Sequence, residues 1–301
     1  MPRLALLTLE DRTGFVIDDA LAIAELERRG LVVDEIPWRR ARDWRAYDGV
    51  IVRTPWDYQR DLAGFLAVLD GIEALGVRLA NPAALVRWNA EKTYLRELRE
   101  RGVAIVPTLF GVGLEPGELR LLPARLACDE CVLKPAVGAN ADDAYRITPA
   151  LADDSARALA ARFAGRAYLA QPFVRAVLDE GEHSLFYFDG RYSHAVTKQP
   201  KRGDFRVQEE HGGLITRLEP DAALHAAGAR VLRALGRAPL QARVDLVRLD
   251  DGTLALMELE AIEPSLYFRM DEAAPRNFAD AVVRWLARGG RPPTPTRPVS
   301  A

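Results

Sequence analysis

Three carboxylates near the C-terminal end have the residue types and spacing of a cation site. Asp245 lies in one run of β-type residues, and Glu258 and Glu260 lie in a second run, with Asp250-Asp251-Gly252 between them as a hairpin turn. Side chains two residues apart on a strand point the same way, so Glu258 and Glu260 share a face and Asp245 can lie opposite. Three converging carboxylates repel one another unless a cation lies between them, and oxygen ligands favour Mg²⁺. The pattern therefore predicts a magnesium–nucleotide site.

Two lysines far upstream are suited to phosphate oxygens. Lys92 falls in the first turn of a predicted charged helix, and Lys134 falls inside a short apolar strand. A lysine ammonium is a compact point charge, and one inside an apolar strand requires an anionic partner. The small residues at 136–141, which include Gly138, can fold their backbone N–H groups toward an anion. Two alternatives stay open: Lys92 as a solvated helix lysine, and the carboxylates as a solvated hairpin face paired with Arg243.

The first 80 or so residues alternate strands and helices in the order that builds a parallel sheet. The predicted elements are a strand at 3–9, a helix at 20–29, strands at 31–36 and 49–53, a helix at 62–75 and a strand at 77–80. Ligands of such sheets bind beyond the carboxyl ends of the strands. The loops at 10–14 and 54–58 occupy that position.

From residue 81 onward the pattern predicts a mixed arrangement of helices and hairpins. The predicted elements are a helix at 90–101, strands at 103–110 and 132–135, a helix at 155–164, a strand at 168–174, a hairpin at 182–188 and 191–197, a helix at 222–235, the carboxylate hairpin at 242–249 and 254–262, and a helix at 278–287. The tail from residue 289 is rich in Pro, Gly and Arg, and we expect it to be mobile.

Composition excludes several classes of function. The chain has 301 residues, of which 49% are hydrophobic and 28% charged, and its net charge of −2 favours neither nucleic acid nor an anionic membrane. The N-terminal apolar run is short and charged residues end it, so we interpret it as a strand rather than a signal peptide and expect a cytoplasmic location. Cys128 and Cys131 have neither a second cysteine pair nor a nearby histidine, so we interpret them as reduced structural cysteines.

Taken in order along the chain, these motifs resemble the ATP-grasp carboxylate–amine ligases, the group around bacterial glutathione synthetase and D-alanine–D-alanine ligase. The resemblance runs from about residue 81 to 268 and implies a role for each matching position. The nucleotide would be bound by Lys92 and Lys134, by Gly138 in the phosphate loop, by Gln171, Phe173 and Val174 at adenine, and by Glu182 at the ribose. The substrate and acyl-phosphate loop would contain Arg206, Gly212 and Gly213, the metal hairpin would contain Arg243, Asp245, Glu258 and Glu260, and the substrate turn would contain Ser265.

A narrower resemblance is to small bacterial ATP-grasp ligases related to the cycloserine-forming enzyme. The matching segments are Arg53-Thr54-Pro55-Trp56-Asp57-Tyr58, the hairpin from Phe186 to His194, and Gly203-Asp204-Phe205-Arg206 followed by His211-Gly212-Gly213. Arg53, Trp56, Asp57 and Tyr58 are candidates to recognise the substrate; the alternative is an aromatic-capped loop at a domain interface. Lys198 and His211 complete the candidate set, the former as a catalytic cation and the latter as a base toward an attacking amine.

Two positions depart from the family pattern. The third metal ligand, usually Asn, is Glu260 here, which keeps oxygen ligation and adds negative charge. The phosphate loop, which usually carries paired glycines, has Gly138 alone, followed by Ala139 and Asn140. The second departure supports one alternative, a nucleotide-binding scaffold without ligase activity.

The resemblance implies a mixed α/β (α+β) protein with the ATP-grasp fold. We expect an N-terminal Rossmann-like substrate domain at 1–88, a central lid at 89–168, a C-terminal antiparallel-sheet domain with the metal and nucleotide site at 169–290, and a tail at 291–301. ATP and one or two Mg²⁺ ions, which Mn²⁺ can replace, are the implied cofactors. The implied reaction activates a small amino-acid-like carboxylate as an acyl phosphate and joins it to an amine. An intramolecular cyclising ligase and a peptide-tailoring ligase are alternatives, and dimers are common in this family.

Overall fold

Four parallel strands and two helices form the N-terminal part of the protein, whose computed structural model describes residues 1–288. The elements are β1 (Arg3–Thr8), α1 (Asp19–Arg28), β2 (Val32–Pro37), β3 (Gly49–Thr54), α2 (Leu62–Ala74) and β4 (Leu79–Ala80), with strand order β2-β1-β3-β4. All six residues of β3 are buried, as expected for a central parallel strand that is covered on both faces. The alternation predicted from the sequence is confirmed.

A second sheet is built from the middle of the chain. Its elements are α3 (Ala83–Asn89), α4 (Tyr94–Glu100), β5 (Leu109–Val112), α5 (Pro116–Arg125), β6 (Cys131–Pro135), β7 (Tyr145–Ile147), α6 (Asp153–Arg162) and β8 (Ala167–Pro172), with strand order β5-β8-β6-β7. Helices α5 and α6 pack on this sheet through Leu119, Phe163 and Leu133. The predicted boundary between 168 and 169 falls inside β8, because β8 pairs with β5 and β6.

The third sheet is antiparallel and carries the carboxylate hairpin. Its elements are α7 (Ala176–Asp179), β9 (Glu182–Phe188), β10 (Arg191–Gln199), β11 (Leu214–Leu218), α8 (Ala222–Ala234), β12 (Gln241–Arg248), β13 (Leu254–Glu260) and α9 (Ala274–Ala287), with strand order β11-β10-β9-β12-β13. The β9–β10 turn places Asp189 and Gly190 at φ of 55° and 72°, the left-handed backbone that tight hairpins require.

A shared hydrophobic core joins the parallel sheet to the third sheet. Leu4 and Leu6 of β1 share one core with Phe186 of β9 and Phe278 of α9. The opposite face of the parallel sheet packs against α2, with Phe65 fully buried. Because both neighbours of the parallel sheet are fixed by these cores, the loops at its carboxyl end have a defined position against β12 and β13.

Several predicted elements differ from the structure. The single helix predicted at 90–101 is wrong: residues 90–93 link α3 to α4, and the Lys92 backbone N–H donates to Ala136 O at 2.8 Å. This long-range hydrogen bond replaces an intrahelical one. The strand predicted at 103–110 shrinks to β5, since Pro107 has no N–H to contribute to a ladder.

Helix α5 is absent from the predicted elements, although the residues at its start are typical of a helix N-terminus. Pro116 is in its first turn, and the Glu115 and Glu118 side chains form a capping box. Helix α9 begins at Ala274 rather than at 278, again with a proline in its first turn.

Both cysteines lie at or just before β6 of the second sheet. Cys131 is buried in β6 and Cys128 is half-buried before it, both as free thiols, and burial raises the pKa of Cys131 to about 12. No helix within residues 1–288 is long and apolar enough to cross a membrane. The tail predicted from residue 289 lies outside the described residues.

Candidate active site between the second and third sheets

A cleft between the second sheet and the β12–β13 hairpin gathers most of the predicted site residues. It encloses about 1200 Å³ of space free of protein atoms, part of it open to solvent. The predicted residues that line it are Tyr58, Lys92, Lys134, Gly138, Gln171, Phe173, Val174, Glu182, Lys198, Arg206, Arg243, Asp245, Glu258 and Glu260. These positions run from Tyr58 to Glu260, so only the tertiary structure brings them together.

The two strands of the hairpin pair as predicted, and a β-bulge between Asp245 and Leu246 shifts their register by one residue. Asp245 is paired with Glu258 across the two strands, and Arg243 with Glu260. The Arg243 guanidinium donates two parallel hydrogen bonds of 2.9 Å to the Asp245 carboxylate and forms an ion pair with Glu260. Burial alone would raise the pKa of Asp245, but Arg243 and Lys198 outweigh it and hold this pKa well below its usual range. The proposed solvated face is therefore excluded for Asp245, which is 1% exposed.

Lys198 on β10 is the second cation that faces these carboxylates. Its ammonium forms an ion pair with Glu182 and lies 3.3 Å from Asp245 Oδ2. Ser184, which the sequence analysis missed, donates its hydroxyl to Asp245 Oδ1 at 2.6 Å. Burial would lower the pKa of Lys198, yet the two carboxylates keep the pKa above its ordinary value, so the lysine stays charged.

The two upstream lysines reach the same cleft from different elements. Lys92 Nζ lies 3.0 Å from Glu258 Oε1 and donates to Gly138 O at 2.6 Å, and the residue is only 8% exposed. The interpretation of Lys92 as a solvated helix lysine is therefore wrong. Burial lowers the pKa of Lys134 on β6, and Glu258 opposes this shift. Within the described part of the chain Lys134 has no carboxylate within 4 Å, so its charge is available to a ligand.

One end of the cleft is mainly apolar. Phe173 and Val174 follow β8 there, together with Val177 and Met257, which the sequence analysis did not single out. Gln171 lies in the wall but donates its side-chain amide to Thr108 Oγ1 at 3.0 Å. An apolar slot beside strand backbone accommodates a flat aromatic ring.

The loop over the cleft forms without the family's paired glycines. Asn140, Ala141 and Asp143 have φ of 54°, 55° and 59°, so non-glycine residues adopt the left-handed backbone that glycines would otherwise supply. His211 donates to Asn140 O at 3.1 Å from Nε2. Arg206, on the segment that precedes His211, is paired with Asp204 at 2.8 Å. This segment thus covers the cleft and contacts the loop.

Other predicted substrate residues lie outside the lining of the cleft. The Arg53 guanidinium, 1% exposed, donates to Asp19 Oδ1 at 2.7 Å and to Gln241 Oε1 at 3.0 Å, and Trp56 Nε1 donates to Glu263 O at 2.8 Å. Asp57 accepts a 2.7 Å hydrogen bond from Trp38 and pairs with Arg39. The further predicted residues that do not line the cleft are His211, Gly212, Gly213 and Ser265. For Arg53 and Trp56 the structure matches the alternative, a loop that caps an interface.

Glu263 is the principal cleft residue that sequence reasoning missed. It is 6% exposed and lies three residues beyond Glu260, next to Tyr58. Burial, with a contribution from the negative charge of Glu260, raises the pKa of Glu263 to about 8, and burial raises the pKa of Glu260 to about 7. A third glutamate at this spacing before Pro264 was the available signal.

We expect Glu263→Gln to change the pH dependence of stability. The folded-state pKa of about 8 lies above the unfolded value of 4.5, so the fold favours the protonated form. The stability from this group is present below pH 4.5 and is lost as pH rises through 8, by up to about 1.4 kcal/mol per pH unit. Thermal unfolding in EDTA at pH 5 and pH 8 should show the variant gaining stability relative to wild type at the higher pH. A pH-independent difference would contradict this.

The three carboxylates of the hairpin form ion pairs with lysine and arginine side chains of the cleft. Within residues 1–288 no three His, Cys, Asp or Glu side chains are grouped closely enough to hold a metal ion. Asp245 and Glu258 are nevertheless cross-strand partners, and with Glu260 they form an oxygen-only set on two neighbouring strands. This set fits the donor preference of Mg²⁺.

Comparison with known proteins identifies the family. The family described as "D-cycloserine synthetase DcsG, N-terminal domain" matches residues 4–81. Cycloserine biosynthesis protein DcsG of Streptomyces lavendulae is 33% identical over 275 residues, which cover 85% of this chain and 90% of that protein. The chain belongs to the DcsG family of ATP-grasp ligases. It is therefore an enzyme of the class that forms C–N bonds.

Solved structures agree with this assignment. The crystal structure of D-cycloserine synthetase DcsG superimposes with a TM-score of 0.83 at 31% identity, over 94% of this DcsG-family chain and 99% of the other. D-alanine–D-alanine ligase from Bacillus anthracis has a TM-score of 0.70 at 16% identity, over 96% and 98% of the two chains, and shows the shared fold. The predicted ATP-grasp fold is confirmed.

Proposed function

We propose that this DcsG-family ligase uses ATP and Mg²⁺ to convert the carboxylate of a small amino-acid-like molecule into an acyl phosphate, which an amine nitrogen then attacks. ADP and phosphate are the other products. The observation that carries the proposal is the meeting of Lys92, Lys134 and Lys198 with three carboxylates in one buried cleft. Such an arrangement suits a polyphosphate and its cation.

The two ends of the cleft suit the two ends of a nucleotide. The apolar end beside Phe173, Val174 and Met257 accommodates adenine, and Glu182 accepts hydrogen bonds from the ribose. The lysines reach the phosphates: Lys92 and Lys198 now pair with oxygens that a phosphate oxygen can replace, and Lys134 has no carboxylate within 4 Å among residues 1–288. Gly138 and its loop cover the phosphates.

The carboxylates are the residues that would hold the metal. Asp245, Glu258 and Glu260 would bind Mg²⁺, or Mn²⁺ in its place, and the bound ion would neutralise phosphate charge during transfer. When a nucleotide binds, Lys92 and Lys198, which now pair with Glu258 and Asp245, turn to the phosphates and leave the two carboxylates to the metal ion. Arg243 and Arg206 are placed to stabilise the oxygens of the acyl phosphate.

A second candidate is an intramolecular version of the same reaction. The relative named cycloserine biosynthesis protein matches along 85% of this chain, and the D-cycloserine synthetase N-terminal family matches residues 4–81, which include Tyr58 of the cleft. In this version the attacking nitrogen belongs to the activated molecule, and the product is a ring. The scaffold alternative loses its basis, since the loop forms without paired glycines. A homodimer stays a prediction.

The test measures phosphate release from Mg-ATP with a panel of amino acids, dipeptides and O-substituted serines. We expect release that depends on one compound, and the mass of its product separates the two candidates. A ring has the mass of one substrate less one water, whereas a ligated product has the mass of two substrates less one water. Glu272→Gln, an exposed position, is the control and should match wild type. Release that is the same with and without every compound would contradict the proposal.

A further inference from the structure

The segment that follows β13 holds Glu263 in a fixed position. Trp56 Nε1 donates to the backbone oxygen of Glu263 at 2.8 Å, and the Asn89 side chain accepts a 2.7 Å hydrogen bond from Ala261 N. Both partners come from distant parts of the chain, and Trp56 belongs to the loop after β3. The backbone of Glu263 is therefore anchored, so its side chain has a defined direction along the cleft wall.

Its carboxylate differs from its acidic neighbours in the cleft. Asp245 and Glu260 pair with Arg243, and Glu258 pairs with Lys92. Among residues 1–288 Glu263 has no Lys, Arg or His nitrogen within 4 Å, although the residue is 94% buried and lines the cleft. A buried carboxylate is costly unless a cation pairs with it. Among the buried carboxylates of the cleft within residues 1–288, Glu263 is thus the one whose counter-ion the chain does not supply.

The surroundings of Glu263 favour a small cation rather than a second anion. Tyr58 lies beside it, and burial raises the pKa of Tyr58 well above its ordinary value, with smaller contributions from the negative charges of Glu263, Glu260 and Glu258. The charges of Glu260 and Glu258 also act on Glu263. The positive charge that lowers the pKa of Glu263 most is that of Lys92, and Lys92 is already paired with Glu258. An incoming ammonium would therefore relieve repulsion at this end of the cleft.

We propose that Glu263 binds the ammonium group of the amino-acid-like substrate, with the Tyr58 hydroxyl beside it. This assignment rests on the proposed function and names the part of the substrate that the cleft selects. An ammonium has three donors and a carboxylate accepts at both oxygens, so the pair forms charge-assisted hydrogen bonds. The substrate carboxylate then extends toward Arg243, the buried arginine of the same cleft.

The test compares each amino compound with its deamino counterpart, using serine with 3-hydroxypropanoate and O-substituted serines with the matching 3-substituted propanoates. Phosphate release from Mg-ATP is measured for wild type, Glu263→Gln, Glu263→Asp and the exposed control Glu272→Gln. For the amino compound we expect KM to rise roughly 100-fold in Glu263→Gln, with kcat and the KM for Mg-ATP within a few-fold of wild type. Glu263→Asp should recover part of the loss.

The deamino compounds separate recognition from structure. Wild type should prefer the amino compound strongly, and Glu263→Gln should treat the two compounds nearly alike. A Glu263→Gln enzyme that keeps the full preference would overturn the assignment while leaving the ligase function intact. An equal loss for both compounds, with lower thermal stability, would show a structural role and overturn it too. If wild type releases no phosphate with any amine-containing compound, the proposed function fails and this assignment fails with it.

Discussion

Glu258→Gln should lower substrate-dependent phosphate release from Mg-ATP by about 10³-fold. The change removes one negative charge and one oxygen ligand from the proposed metal hairpin but keeps the size of the side chain. Charge stabilisation by a bound metal contributes several kcal/mol, and each 1.36 kcal/mol corresponds to a factor of ten in rate. Glu258 also pairs with Lys92 at 3.0 Å, so the variant changes the position of a proposed phosphate-binding cation. The measurement is kcat for the compound found active in the panel.

Controls for this variant separate chemistry from folding. Glu272→Gln removes an exposed carboxylate and should retain wild-type kcat. The Mg²⁺ concentration that gives half-maximal rate should increase in Glu258→Gln, since a weakened site needs more metal. Thermal unfolding in EDTA shows whether lost activity reflects lost structure. A Glu258→Gln enzyme with activity within ten-fold of wild type and the same Mg²⁺ dependence would exclude Glu258 from the metal site.

Arg243→Met should lower the free energy of unfolding by about 3–5 kcal/mol at pH 7, more than any other variant that we propose. Arg243 is 7% exposed and pairs with both Asp245 and Glu260. Removing one partner of a buried ion pair leaves an uncompensated charge, which costs about this amount. Chemical denaturation of the metal-free protein measures it. Arg248→Met is a matched control on the same strand, since its side chain is 35% exposed and pairs with Glu180, and it should cost less than about 1 kcal/mol.

The pH dependence of this loss has a definite sign. In the wild type, Arg243 and Lys198 lower the pKa of Asp245 below its unfolded value of 3.8, so this group adds stability above that pH and loses it as pH falls through the folded pKa. Without Arg243 this contribution shrinks, and the difference between wild type and variant should be greater at pH 7 than near pH 3, which lies below the unfolded pKa of 3.8. Added Mg²⁺ should restore part of the stability of the variant, because a divalent ion can replace the missing charge. An identical loss at both pH values would contradict this account.

Much of the candidate site could be predicted because its parts have local signatures. The Asp250-Asp251-Gly252 turn predicts that the two runs pair as a hairpin. The β-bulge between Asp245 and Leu246, which places Asp245 opposite Glu258, is not visible in the alternation of side chains. A lysine inside an apolar strand identified Lys134 without any knowledge of its neighbours. The helix predicted around Lys92 was wrong, since a backbone hydrogen bond to Ala136 is not visible in local periodicity.

Burial gives Arg53 and Glu263 surroundings that the local sequence does not predict. Arg53 lies near the end of the buried strand β3, just before a loop, a pattern that suits a substrate residue as well as an interface residue. Its partners Asp19 and Gln241 lie 34 and 188 positions away, and their contacts bury it completely. Glu263 was overlooked for the opposite reason, because a glutamate after a strand is usually solvated. Only the packing of the loop after β3 against it made it part of the cleft.

The sequence by itself determined most of the order of strands and helices, the pairing of the carboxylate hairpin and the charges of the cleft, because these follow from backbone periods and turn chemistry over a few residues. The tertiary structure alone decided which cation faces each carboxylate. Arg243 forms ion pairs with Asp245 and Glu260. Lys198 pairs with Glu182, and Lys92 pairs with Glu258, whereas Glu263 has no such partner among residues 1–288. These pairings join side chains from separate sheets, and their strength depends on distance and burial, which appear only when the sheets pack.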